Sequence, residues 1–234
     1  MKICAIALLL PVLFNASTVQ ASERHEKTRP TITVVVCDKV GLAPEMFRAA
    51  RDNARKVFEN ADTDLIWLDS EGDRTPTKFL RTSFEGCVLP SGDIDFLAVI
   101  SRESPKGSPP GMLGLSIPTP TSPQRIYVLY DQVKKVVSGV LDVEGPTLVG
   151  HVVAHELGHI LLAESGHTPS GIMSTGWRYD HLTQAAQGLL RFDPAQAKRI
   201  RIQAQIRSAR NDSQSTEASV LRSAAIPRRL TSER

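Results

Sequence analysis

Apolar residues recur along this chain in three distinct rhythms, and each rhythm predicts an element. Thr31 to Cys37 (TITVVVC) is a run of β-branched residues, the pattern of a buried strand. From Pro44 to Ala61, residues Met46, Phe47, Ala50, Ala54, Val57, Phe58 and Ala61 recur at steps of three and four, which draws one apolar face on a helix. Asp64 to Leu68 reads as a second strand. A strand–helix–strand unit of this length favours parallel pairing through a right-handed crossover. Ile94 to Ser101 and Arg125 to Tyr130 are further strands, and Gln132 to Leu141 is a short helix.

Polar and breaker-rich stretches separate these elements. Ser70 to Pro90 reads as irregular, and Pro105 to Pro123 as a long loop crowded with Pro, Gly and Ser. Within that loop Met112 to Ile117 has the character of a short edge strand. Pro146 to Ala163 then lacks breakers and is apolar nearly throughout, as a long buried helix would be. Two more helices are expected over Asp180 to Leu190 and Asp193 to about Arg210. The Ser-, Ala- and Arg-rich remainder from Asn211 is expected to be disordered. The fold class is α/β, bordering on α+β: a mixed twisted sheet, one long central helix and a smaller helical C-terminal part.

The extreme N-terminus carries an address. Lys2 precedes an apolar stretch from Ile3 to Phe14, and Val19-Gln20-Ala21 offers small residues for cleavage before Ser22. Residues 1–21 are expected to be a signal peptide, 22–210 a single domain and 211–234 a basic tail. Cys4 belongs to the leader. Cys37 and Cys87 would then meet an oxidising compartment, as one disulfide or as two buried thiols. The expected location is extracytoplasmic, with no stable membrane insertion after cleavage.

Composition narrows the class further. The 234 residues are 41% hydrophobic and 23% charged, ordinary for a globular chain, and a net charge of +3 gives no argument for nucleic acid. From Lys198 onward nine Lys/Arg stand against three Asp/Glu, so the tail carries +6 and the remainder −3. The basic balance belongs to the tail, which reads as solvated or as touching an anionic surface.

Candidate chemistry lies in the long helix. His155-Glu156-Leu157-Gly158-His159 puts two imidazoles one turn apart on one helix side, the spacing for two ligands of one Zn²⁺. Glu156, beside the first ligand, is placed to hold and deprotonate a water as general base. Gly158 permits close packing on the opposite side. A third ligand is needed, and the downstream candidates are Glu164, His167, Asp180 and His181. Glu164 would point about 140° away from His159 if the helix continued. His167 follows Ser165-Gly166, where the chain can fold back, and is favoured; Asp180 and His181 stay open. His151, one turn before His155, either lines the cleft or is a partly exposed helix histidine.

At this point the sequence resembles the metzincin clan of zinc peptidases, which carry H-E-x-x-H-x-x-G-x-x-H followed by a turn containing methionine. More narrowly, HELGHILLAESGH followed by GIM and a Trp looks like a group of small secreted bacterial metzincin-like proteins. The resemblance spans roughly residues 30–205, and its specific part is 151–177. It implies that His155, His159 and His167 hold Zn²⁺, that Glu156 is the general base, and that Met173 floors the site. It also implies that Trp177 or Tyr179 packs at the pocket wall. One departure stands out: where the clan has glycine and then histidine, this chain has Leu162 and Ser165, and the histidine arrives two residues late. The helix is therefore expected to run about half a turn further. The function implied is a monomeric, secreted zinc endopeptidase acting on peptide or protein substrates. A zinc-containing binding protein and a zinc hydrolase of a non-peptide amide are the alternatives.

Overall fold

A computed structural model describes residues 28–70, 82–84, 86–90, 94–119, 123–139, 143–163 and 167–224. The signal-peptide expectation, Glu164, Ser165, Gly166 and the last ten residues lie outside them. The β-branched run forms β1 (Thr31–Asp38), and the apolar-faced segment forms α1 (Pro44–Glu59). The chain returns as β2 (Asp64–Asp69), parallel to β1, with Thr31 opposite Asp64. After a hairpin of β3 (Thr82–Phe84) and β4 (Cys87–Leu89) come β5 (Phe96–Ser101), β6 (Gly114–Ile117) and β7 (Gln124–Leu129). One mixed five-stranded sheet results, in the order β2-β1-β5-β7-β6. Four strands are parallel, and β6 alone is antiparallel, at the edge beside β7.

Strand alternation sorts the core into two clusters. Ile32, Val34, Val36, Phe96, Ala98, Ile100, Ile126 and Val128 face one side, where they pack with Ala50, Ala54 and Phe58 of α1 and Leu148, Val149 and Val152 of the long helix α3 (Gly145–Leu162). Val35, Cys37, Leu97, Val99, Tyr127 and Leu129 face the other side, against Cys87 and Leu89 of the hairpin. A disulfide joins Cys37 to Cys87, with Cα atoms 5.7 Å apart, and ties that hairpin to β1. The thiol alternative is thereby set aside.

The helices are α2 (Tyr130–Val137), α3, α4 (Tyr179–Ala186) and α5 (Pro194–Ala224). Three boundaries differ from the sequence reading. The segment 70–90 contains a hairpin, because Cys87 and Leu89 bury against the sheet and the disulfide ties them there. Helix α2 starts at Tyr130, directly from the strand. Helix α5 continues to Ala224, beyond the Asn211 limit, because Ser, Ala, Gln and Arg after that point include no breaker before Pro227. Its middle is fastened to the sheet. Ser208 Oγ bonds both the backbone N–H and the C=O of Thr31, Arg207 donates to Gln124 Oε1 at 3.0 Å, and Arg201 pairs with Asp62. None of the described helices is long and apolar enough to cross a membrane.

Candidate metal centre

Helix α3 is buried along most of its length, so its polar residues sit where only a partner can justify them. Helical spacing brings His155 Nε2 to 3.1 Å from His159 Nε2. The helix stops at Leu162, not half a turn later. Ala163 takes a left-handed conformation (φ 53°, ψ 34°), which ends the helix, while Gly166, where the chain was expected to fold back, lies outside the described residues. The late histidine lies back beside the helix. The His167 ring centre lies 4.8 Å from that of His159 and 5.3 Å from that of His155, and one ring nitrogen from each of the three falls within 4.8 Å of the others. Among the described residues no carboxylate or thiol joins this group.

The donor set fits a metal ion. Two nitrogens bound to one tetrahedral Zn²⁺ lie roughly 3.3 Å apart, close to the His155–His159 separation. Burial is the main cause that pushes His155 down to about 4, and it also lowers His167, so both rings are neutral near pH 7 and carry lone pairs. The tautomer of His155 is fixed as well. Its Nδ1 lies 2.7 Å from the Ile172 carbonyl, which can only accept, so Nδ1 holds the proton and Nε2 faces the cluster.

That carbonyl comes from a tight turn beneath the histidines. Thr168 N–H donates to Met173 O at 2.9 Å, Ser174 N–H to Gly171 O at 3.1 Å, and Ile172 N–H to Arg191 O at 2.9 Å. Met173 is 1% exposed. Its Sδ presses on the helix: a Cβ placed on Gly158 would be 2.6 Å away. The close packing anticipated at Gly158 is therefore against Met173 and Phe192. Trp177 donates from Nε1 to the same Ile172 carbonyl at 3.2 Å and sets its ring edge-on to His155.

Glu156 is buried on the flank of α3 turned toward β6. Burial pushes its carboxyl up to about 8, and a hydrogen bond from the Ser116 side chain opposes the shift. The three histidines, Glu156, β6 and Trp177 together line a cleft of about 890 Å³.

Other candidates fall elsewhere. Asp180 is exposed at the start of α4, where it lies 3.1 Å from His181 and outside the histidine group. His181 is buried outside the histidine group, and its Nδ1 accepts from Arg178 N–H in closing the first turn of α4. His151 is also buried rather than partly exposed, with Nδ1 2.8 Å from Thr147 O, and it is absent from the cleft lining. Tyr179 is 63% exposed, which leaves Trp177 as the aromatic of the cleft wall. Sequence reasoning missed Ser116, Gly114 and the Ile172 carbonyl. A glycine within the short apolar strand 112–117 was the available signal, since glycine in a strand marks a close approach.

No family model matches the chain, and no curated protein matches it. Among solved structures the chain is similar to the crystal structure of archaemetzincin from Methanopyrus kandleri, at 15% identity and a TM-score of 0.46, with 75% of this chain and 97% of that chain covered.

Proposed function

We propose that this protein is a secreted zinc-dependent endopeptidase that cleaves extended peptides in the cleft between α3 and β6. One observation carries the reading: three histidine nitrogens converge within 4.8 Å, with a buried carboxyl on the adjacent helix residue and an antiparallel edge strand opposite. Zn²⁺ in that group would polarise the scissile carbonyl and acidify water. His155, His159 and His167 would hold the ion, and the Ile172 carbonyl fixes the first of these with its Nε2 free to do so. Glu156 takes the proton from the attacking water and passes it to the leaving amine. A divalent charge beside this carboxyl offsets the burial that favours its protonated form. The backbone of β6 offers an open row of groups to an extended chain. The Cys37–Cys87 disulfide supports an extracytoplasmic location.

The test is a peptide-library cleavage assay on the purified monomer with and without a chelator, alongside metal analysis. Glu156→Gln should keep zinc and lose at least about 10³-fold in kcat. His167→Ala should strongly lower zinc occupancy. Full zinc loading with no peptide cleaved would favour a binding protein or a hydrolase of a non-peptide amide instead.

A further inference from the structure

The strand that would hold substrate also touches the carboxyl that would act on it. Gly114 and Ser116 are two apart on β6 and so face the same way, toward α3, while Leu115 and Ile117 pack on the hairpin side. Gly114 does not have a positive φ, so its backbone does not require glycine. Space does: a Cβ there would stand 2.7 Å from Glu156 Oε1, 2.8 Å from Glu156 Cγ and 2.7 Å from Val152 Cγ1. The carboxyl fills the volume that any other residue at 114 would claim. One strand step on, the Ser116 side chain hydrogen-bonds the same carboxyl.

We infer that Gly114 and Ser116 are positioning residues for Glu156: the first by leaving room, the second by holding the carboxyl with its hydroxyl. The inference rests on the reading of Glu156 as general base. An unheld carboxylate at this site has rotamers to choose from, and only one that faces both the histidine group and the bound peptide is productive. A carboxyl seated on β6 has its orientation set by the strand along which the substrate lies. Strand and base then form one unit, and a shift of β6 displaces the base with it.

Ser116→Ala, Ser116→Thr and Gly114→Ala are the variants. With a peptide taken from the library, Ser116→Ala should lower kcat about 10-fold, leave KM within twofold and leave zinc stoichiometry unchanged. Ser116→Thr, which keeps the hydroxyl, should restore most of kcat. Gly114→Ala should lower kcat by about 10²-fold or more. Wild-type kcat in Ser116→Ala, or no rescue by threonine, overturns the assignment. If Gly114→Ala fails to fold by circular dichroism, the serine pair decides.

A second measurement needs no activity. The drop in unfolding midpoint caused by Ser116→Ala in the metal-free protein should shrink by at least half when Glu156 is already Ala. Equal drops in both backgrounds overturn the contact. A wild-type protein that cleaves nothing but shows this coupling refutes the peptidase reading and keeps the seat.

Discussion

The two faces of the sheet are built by different means. On one face, β1, β5 and β7 present Ile, Val, Phe and Ala to two full-length helices, and the whole candidate centre grows out of that packing. On the other face, strand residues of the same kind meet a hairpin of two three-residue strands, tied down by a disulfide spanning 50 residues. A hairpin that short cannot bury enough apolar area to hold itself in place, so a covalent bond supplies what area does not. The helix-covered face is secured by contact area. The hairpin-covered face is secured by restricting the unfolded chain.

Substitutions on each face can break that contrast. Leu157, fully buried in α3 beside Glu156, should cost about 2–5 kcal/mol as Leu157→Ala in urea unfolding, and the metal site should loosen with it. The double change Cys37→Ser with Cys87→Ser should cost about 2–4 kcal/mol. Zinc binding should survive it, since two of the three histidines stand on α3, which packs on the other face of the sheet. Loss of zinc in the serine variant would show that the faces are not independent, and survival of the centre in Leu157→Ala would show that helix packing does not hold it.

The helix face also carries the pH dependence. Glu156 is raised from 4.5 to about 8 in the metal-free fold, so folding takes up a proton between those values and stability falls as pH rises through them. His155 is lowered from 6.5 to about 4, so stability falls in the opposite direction, as pH drops through that window. Glu156→Gln should therefore flatten only the limb that falls with rising pH, worth about 2 kcal/mol by pH 6, and leave the acid limb in place. The smallest expected effect is at the end of α3. Ala163→Gly should raise stability by up to about 1 kcal/mol, since glycine accepts the positive φ that alanine holds at a cost.

The sequence made the helix face legible and the hairpin face almost invisible. The period of α1, the β-branched run of β1 and the five residues from His155 to His159 each announce themselves locally, because burial on one side leaves a periodic trace. The hairpin leaves none: its register comes from Cys37, and the cysteine pair alone could not distinguish a bridge from two thiols. His167 lay between these cases. Its type and approximate position were readable, as was the helix end near Ala163, but nothing in the sequence marks that alanine as left-handed, and the fold-back expected around Gly166 lies outside the described residues. The burial of His151 and His181 was equally unreadable. A histidine with a local backbone partner can be buried in any helix turn, and nothing in the flanking sequence says so.

Three glycines set the tolerance of α3 to mutation. A side chain at Gly150 would collide with the Ala50 carbonyl on α1, one at Gly158 with Met173 and Phe192, and one at Gly114 with Glu156 and Val152. The helix that carries the histidines thus leaves no room for a Cβ at three contacts, against backbone at Gly150 and against side chains at Gly158 and Gly114. Two of those glycines lie within the helix itself, where each sacrifices about 1 kcal/mol of propensity. Side-chain packing can usually adapt to a substitution by repacking, but backbone contact cannot. In a saturation-mutagenesis library, Gly150 should therefore reject every replacement as firmly as the histidines do, although it supplies no reacting atom, and Gly158 and Gly114 should follow it less strictly.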